Sequence, residues 1–360
     1  MTSRTSFTAR LSLSTPIIQG PMANISTPAM VAAVSNAGAL GSLSVGAMDA
    51  AGARQAIEQT RALTDRPFNV NVFCHAPAVA DAAREQRWLD YLAPEYARFG
   101  AAPPARLREI YGTFMTDDAM LEVVLSTRPA VLSLHFGLPD ADRIRALREA
   151  GIYLLATATS VEEARQIADA GIDAIVAQGI EAGGHRGVFD QDGPDEQLGT
   201  LALVRLLATR FDLPVIAAGG IMDGAGIAAA LALGAQAAQL GTAFVPCPES
   251  SADPAYKQAL LSDDIPPTTF TRAISGRTAR GLSNRLTALG VAADAPPAPD
   301  YPIAYDAGKS LHAAAKAQGS TAYAAQWAGQ AAPLSRALPA ADLVRKLDDE
   351  LKATLRGLLA

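Results

Sequence analysis

The chain has 360 residues, 49% of them hydrophobic and 18% charged, with a formal net charge of −6. That composition supports a packed globular core and excludes a disordered chain. The acidic balance, without any basic run carrying interleaved aromatics, excludes a nucleic-acid surface, because neutralising phosphates needs a local excess of Lys and Arg.

Residues 1–14 are polar and carry Arg4 and Arg10 without the apolar stretch of a signal peptide. Cys74 and Cys247 are too few for a zinc cluster or a disulfide framework and fit reduced thiols in a cytoplasmic protein. Short apolar segments closed by glycine or polar breaks recur at 16–22, 39–44, 68–73, 130–137, 153–159, 174–178, 214–220 and 237–244, and predict eight strands. Ala-rich helical patterns lie between most of them, at 27–36, 141–150, 160–170, 198–211 and 223–233. Helix runs into strand through Ala37-Gly38, Ala150-Gly151 and Ala170-Gly171, and glycine is favoured just past a helix end. Strands alternating with helices predict an α/β chain with a parallel sheet, and eight strands predict closure into a (β/α)8 TIM barrel. An open doubly wound sheet is the alternative. Against it, Gln19-Gly20-Pro21-Met22-Ala23 after the first strand is no G-x-G-x-x-G.

Two connections break the rhythm. Residues 74–129 hold Trp88, Tyr91, Tyr96, Tyr111 and Pro103-Pro104, and residues 246–310 are rich in polar residues and proline ahead of a final helix at 340–359. Long insertions in compact barrels are lids or accessory domains. Residues 1–245 with 311–360 are expected to form the barrel. Residues 246–310, with part of 74–129, are expected to form a smaller cap over its C-terminal face, where barrel enzymes keep their sites. The uncharged stretch 226–248 has the length of a bilayer span, but Gly234, Gln236, Gln239 and Thr242 divide it into a helix and a strand of buried core, so no membrane contact is expected.

The strand ends of such a barrel converge. They carry Pro21-Met22 (first), Asn69 and Asn71 (third), His135 (fourth), Gln178, Gly183 and His185 (sixth), Gly219-Gly220 (seventh) and Gln239-Leu240-Gly241-Thr242 (eighth). Glycine turns at the seventh and eighth strands, with the N-terminus of a helix near Asp223, suit a phosphate; tight turns alone would also account for them. The amides of Asn71 and Gln178 suit the edge of a flat heterocycle such as a flavin, or else satisfy buried backbone groups. In the stretch from Gln178 to Gly187, glycines allow close backbone approach, and the His185 imidazole titrates near neutrality. A glycine turn with a surface histidine fits the same residues. Tyr301-x3-Tyr305-x3-Lys309 places two phenols and an ammonium on one helix face, either as an anion-binding wall or as packed rings beside a solvated lysine.

Gln19-Gly20-Pro21-Met22, Phe68-Asn69-Val70-Asn71, the Gln178 to Gly187 stretch, Ala217-Ala218-Gly219-Gly220-Ile221 and Gln239-Leu240-Gly241-Thr242 resemble the nitronate monooxygenases, formerly 2-nitropropane dioxygenases. Ser275-Gly276-Arg277-Thr278-Ala279-Arg280 and the Tyr301 to Lys309 set extend the likeness into the cap and resemble the class I branch. The barrel strands alone are also similar to enoyl-acyl-carrier-protein reductases and NADH:quinone reductases. The resemblance implies FMN without a metal. Pro21, Met22 and Ala23 would line its ring, and Asn71, Gln178, Gly183, Gly219, Gly220, Gln239, Leu240, Gly241 and Thr242 would hold it. It puts His185 in the catalytic place and Tyr111, Tyr256, Tyr301, Tyr305 and Lys309 near the substrate. It implies oxidative denitrification of alkyl nitronates, propionate 3-nitronate above all, with O2 to a carbonyl compound and nitrite or nitrate. His185 would act as a base or as a cationic anchor. The competing readings are an NAD(P)H-dependent flavin reductase of quinones or enoyl thioesters, and a flavin carrier without turnover. The expected partners are a small anionic substrate and O2, with the chain a monomer or homodimer.

Overall fold

The computed structural model describes residues 6–359; residues 1–5 of the polar N-terminal segment and residue 360 lie outside the described residues. The first six strands are β1 (Ile17–Gln19), β2 (Gly41–Ser44), β3 (Phe68–Phe73), β4 (Val131–His135), β5 (Tyr153–Ala158) and β6 (Ala174–Gln178). A two-residue strand, β7 (Gly184–His185), then precedes β8 (Val215–Ala218) and β9 (Ala237–Leu240). Apart from β7 they pair in parallel in the order β1-β9-β8-β6-β5-β4-β3-β2. A parallel bridge from Ile18 to Leu40, just ahead of β2, closes the ring. The result is the expected barrel.

Strand alternation sorts the apolar residues into two layers. Ile18, Val131, Leu155, Val176 and Ile216 form one buried cluster with Phe7, which the short N-terminal helix Phe7–Arg10 contributes. Ile17, Leu43, Val70, Leu154 and Ile175 join the second layer together with the helices. Burial on both faces is why these strands read as continuous apolar runs. The helices start where side chains can cap them: Thr27 Oγ1 accepts from Met30 N at 3.1 Å and Ser160 Oγ from Glu163 N at 3.2 Å. They stop at the Ala-Gly pairs, with Gly151 at φ +79° and Gly171 at φ +75°, a region costly for any residue with a Cβ. The last helix, Ala340–Leu359, lays Leu343, Val344, Leu347 and Leu351 into the outer layer, each worth ~1.5–3 kcal/mol when fully buried. The stretch 226–248 divides into helix Gly224–Ala232 and β9, and no helix among the described residues is long and apolar enough to cross a membrane.

Beyond β9 the chain forms helix Pro254–Leu260, strands β10 (Thr268–Thr271) and β11 (Ala279–Leu282), and helices Arg285–Leu289 and Ala304–Lys316. β10, β11 and β7 make a small antiparallel sheet. A separate buried cluster unites Trp88, Leu92 and Tyr96 of helix Ala82–Ala97 with Ile274, Leu286, Tyr301, Leu311 and Tyr323. Tyr96 OH donates to Ala307 O at 2.9 Å across this contact. The helix Ala304–Lys316 runs through position 310/311, and Tyr323 beyond it belongs to the same cluster. Tyr301 lies outside that helix, contrary to the one-face spacing expected of Tyr301, Tyr305 and Lys309. The reason is Pro302, since a residue before proline is disfavoured in the helical region.

Candidate active site

A cavity of about 330 Å³ opens at the C-terminal end of the barrel beneath these later segments. That volume lies at the lower end of the ~300–1,000 Å³ of small-molecule sites. One part of its wall is backbone. Gly20, Pro21, Met22 and Ala23 after β1, Gly219-Gly220 after β8, and Gln239, Gly241 and Thr242 at β9 all line it. Gly219 (φ +125°) and Gly220 (φ +69°) occupy conformations that favour glycine. Gly241 has an ordinary φ of −98°, and a Cβ there would meet nothing nearer than Met22 Sδ at 3.9 Å. Neither backbone strain nor packing requires that glycine. What its missing side chain leaves is open cavity, a cradle that a Cβ would partly fill.

Two expectations about this rim change. Leu240 is 1% exposed and packs in the outer layer, because alternation along β9 turns it away from Gln239. The helix at Gly224 is not free to hold an anion: Asp223 Oδ1 accepts from Gly226 N at 2.8 Å and Glu350 Oε2 from Gly224 N at 3.1 Å. The neighbouring helix Thr200–Arg210 is likewise met by the Glu181 carboxylate, 2.9 Å from Thr200 N. Carboxylates already meet backbone N–H groups at both helix starts.

The amides resolve in favour of the protein. Asn71 Nδ2 donates to Ser133 O at 3.1 Å and its Oδ1 accepts from Ser44 at 3.3 Å. Gln178 Nε2 donates to His185 O at 2.9 Å, and its Oε1 accepts from Gly187 N at 2.8 Å. Both still line the cavity, but as clamps. Buried Arg186 reinforces the turn, reaching Gln178 O at 3.0 Å and Gly179 O at 3.2 Å while its other nitrogens meet both oxygens of Asp195 at 2.8 Å. Arg186 and hydrogen bonding to Gln197 hold the Asp195 carboxyl below its usual range against the opposing effect of burial. Gly183 lines the cavity too, yet a Cβ there would come within 2.5 Å of Gly329 N. The close approach it permits is that of its own chain.

The rest of the wall is made of side chains. His185, paired with Ala279 through β7 and β11, places Nε2 3.0 Å from Ser275 Oγ. Its ring centroid stands 5.2 Å from Trp327, 5.3 Å from Tyr301, 5.7 Å from Phe136 and 5.9 Å from Tyr305. Burial, then the Arg277 charge, then His135 and His75, lowers its pKa well below the ordinary imidazole value. Burial and Arg277 likewise depress His135 to about 3 and His75 to about 4. Arg277 is itself buried with its guanidinium 4.2 Å from the Phe136 ring centroid, and burial lowers it only to about 10, so it remains a fixed cation at neutral pH. Phe136 lines the cavity at φ +79°, a strained conformation for a bulky residue.

Tyr111, Tyr256, Tyr305 and Lys309 line the cavity, whereas Tyr301 stands one layer back and accepts a 2.9 Å hydrogen bond from Tyr111 OH. Burial raises the pKa of all four phenols. Lys309 is exposed, with Nζ 5.4 Å from the Tyr305 ring centroid, and partial desolvation lowers its pKa against the pull of Asp306. Sequence reasoning missed Trp327, whose Nε1 donates to Tyr305 OH at 3.1 Å and whose carbonyl accepts from Tyr256 OH. It also missed His75, His312, Tyr323 and Gly329. One signal was available: the chain has four histidines, of which His135, His185 and His312 line this cavity and His75 packs 4.9 Å from Tyr301.

The model of the family described as nitronate monooxygenase matches residues 4–350. A nitronate monooxygenase of Paraburkholderia phytofirmans is 64% identical over 348 residues, 97% of this chain and 95% of the relative. One from Pseudomonas aeruginosa is 57% identical over 346 residues, 96% of this chain and 99% of the relative. The solved structure of nitroalkane oxidase from Streptomyces ansochromogenes superposes with a TM-score of 0.88 at 41% identity, covering 96% of this chain and 98% of its own.

Proposed function

The chain belongs to the nitronate monooxygenase family and is an oxidoreductase, and from that premise we propose that it binds FMN in the barrel cavity and oxidatively denitrifies small anionic nitronates with O2. Propionate 3-nitronate is the proposed substrate, and a carbonyl compound with nitrite or nitrate the products. The observation that carries this reading is a single cavity lined both by bare turns at Gly219-Gly220 and Gly241-Thr242 and by His185, Tyr305 and Lys309. In this reading the turns cradle the phosphate, Pro21, Met22, Ala23 and Gln239 flank the ring system, and Asn71 and Gln178 hold the surrounding strand ends. A flavin bound there supplies a one-electron acceptor for the nitronate and a route for electrons to O2.

The protein's part is binding, orientation and proton control. Lys309 at the mouth attracts the carboxylate of the substrate, and Tyr111, Tyr305 and Trp327 exclude water and strengthen that attraction. A neutral His185 offers a lone pair to an α-proton, and a bound anion beside it favours the protonated ring. We extend the proposed cap, 246–310 with part of 74–129, through the helix Ala304–Lys316 to Tyr323, and place the enzyme in the cytoplasm as a monomer or homodimer. Purified protein is expected to show flavin absorbance and to consume O2 with propionate 3-nitronate. Anaerobic mixing with NADH separates the alternative: rapid bleaching of the flavin would establish a reductase and overturn this assignment.

A further inference from the structure

We propose that Ser275 is the positioning residue for His185: its hydroxyl holds the imidazole with a proton on Nε2 and thereby makes Nδ1 the nitrogen that takes up protons in the site. The inference rests on the proposed placement of His185 beside the substrate.

The pairing of β7 with β11 is what brings Ser275 to the ring. His185 pairs with Ala279, and Arg186 N donates to Thr278 O at 2.9 Å, so the turn just before β11 packs against the imidazole. That turn is fixed by Gly276 N donating to Arg272 O at 2.8 Å. Gly276 sits at φ +89°, and a Cβ there would come within 2.3 Å of Pro299 O. Ser275 is fully buried, and its hydroxyl has one hydrogen. That hydrogen goes to Arg277 O at 3.0 Å, because a carbonyl oxygen can only accept. Arg277 N donates back to the same oxygen at 3.3 Å. The remaining contact, 3.0 Å from Ser275 Oγ to His185 Nε2, then requires Nε2–H as donor.

Nothing else fixes this proton. Gln178 holds the His185 carbonyl and not the ring. The groups facing the imidazole are Phe136, Tyr301, Tyr305 and Trp327, with Arg277, His135 and His75 acting through charge. None of the four rings is a hydrogen-bond partner of the imidazole. Nδ1 has no protein partner among the described residues, on a side chain that lines the cavity. When a neutral nitroalkane reacts, its Cα–H bond breaks, the proton forms a bond to Nδ1, and the electron pair stays on the nitro compound as its nitronate. The bond from Nε2–H to Ser275 persists throughout.

Nitrogen NMR of flavin-loaded protein labelled with ¹⁵N-histidine tests this directly, with the His185 signals assigned by their loss in His185→Gln. The expected spectrum has His185 protonated at Nε2 and unprotonated at Nδ1. Ser275→Ala is expected to mix the tautomers, alter the pH profile of kcat/KM for a neutral nitroalkane and lower that kcat/KM by up to about 100-fold with flavin content retained, and Ser275→Thr to restore all three. A wild-type spectrum with the proton on Nδ1 would overturn the proposal, and it decides the matter even if Ser275→Ala does not fold. An unchanged tautomer and pH profile in Ser275→Ala would overturn it as well. Absence of nitronate-dependent O2 uptake by the wild type would count against the functional reading instead, leaving the tautomer measurement intact.

Discussion

The rim of the cavity and its capped side are built from different materials. The rim is backbone: Gly219-Gly220 after β8, and Gly241-Thr242 after β9, each next to the strand that aims it. The capped side is side chains from stretches far apart in the chain, with Tyr111, His185, Tyr305 and Trp327 meeting only in the folded protein. A backbone wall is tolerant of sequence except where a Cβ would intrude. A side-chain wall depends on every segment that supports it, and here that support is a chain of hydrogen bonds: Tyr111 to Tyr301, Trp327 to Tyr305 and Tyr256 to Trp327.

The largest separation of the two walls is expected from His185→Ala. O2 uptake with a neutral nitroalkane should fall by ~10²–10⁴-fold, as for loss of a proton-transfer group, while flavin absorbance per protein is retained. Colour and activity lost together would mean that the walls are not independent.

Two glycine variants then test what bareness is for. Gly241→Val, with open space around its Cβ, should melt near the wild type and purify colourless. Gly183→Val, whose Cβ faces the backbone of Ala328 and Gly329 within 3 Å, should lose ~1–3 kcal/mol or more through overpacking, with a lower Tm. Yellow Gly241→Val would remove the rim from the proposed cofactor site.

Acid should loosen the capped side. His75, His135 and His185 have folded pKa values below the unfolded 6.5, so the unfolded chain binds more protons at lower pH. Their contribution is intact above pH 6.5 and is lost as pH falls towards about 4 for His75 and about 3 for His135. For His75 this amounts to on the order of 3 kcal/mol. Trp88 and Trp327, the two tryptophans of the chain, both belong to the second cluster or pack against it, so their fluorescence should change before far-UV ellipticity as pH drops. His75→Phe should flatten the dependence of Tm on pH, and an equal slope in that variant would exclude His75 as a source.

The smallest effect concerns the mouth. Lys309→Met should raise KM for propionate 3-nitronate about fivefold, the equivalent of ~1 kcal/mol for an exposed ion pair, and leave KM for an uncharged alkyl nitronate unchanged. Equal KM values for the charged substrate would remove Lys309 from recognition.

What was legible in the sequence follows the same division. Strands buried on both faces announce themselves as apolar runs, and Gly151, Gly171, Gly219 and Gly220 mark positive φ, so the barrel and its Gly219-Gly220 turn were readable in the sequence. Asp223 was misread as the start of an anion site, although an Asp at that position signals a helix capped by its own side chain. The amides of Asn71 and Gln178 could not be assigned, because whether an amide faces a ligand or its own backbone is a tertiary fact. Trp327 lies beyond the helix Ala304–Lys316 in a stretch without periodicity, and His75 acquires its neighbours only when residues 74–129 fold onto the later chain.

β7 gives this architecture a mechanical consequence. By chain order the strand belongs to the loop after β6, but by hydrogen bonding it is the edge strand of the small sheet it shares with β11. The backbone of His185 is thus a rung joining two bodies, so any displacement of that sheet and any displacement of the imidazole are movements along one coordinate. A hinge that opened the roof would carry the His185 imidazole with it, or break the rung.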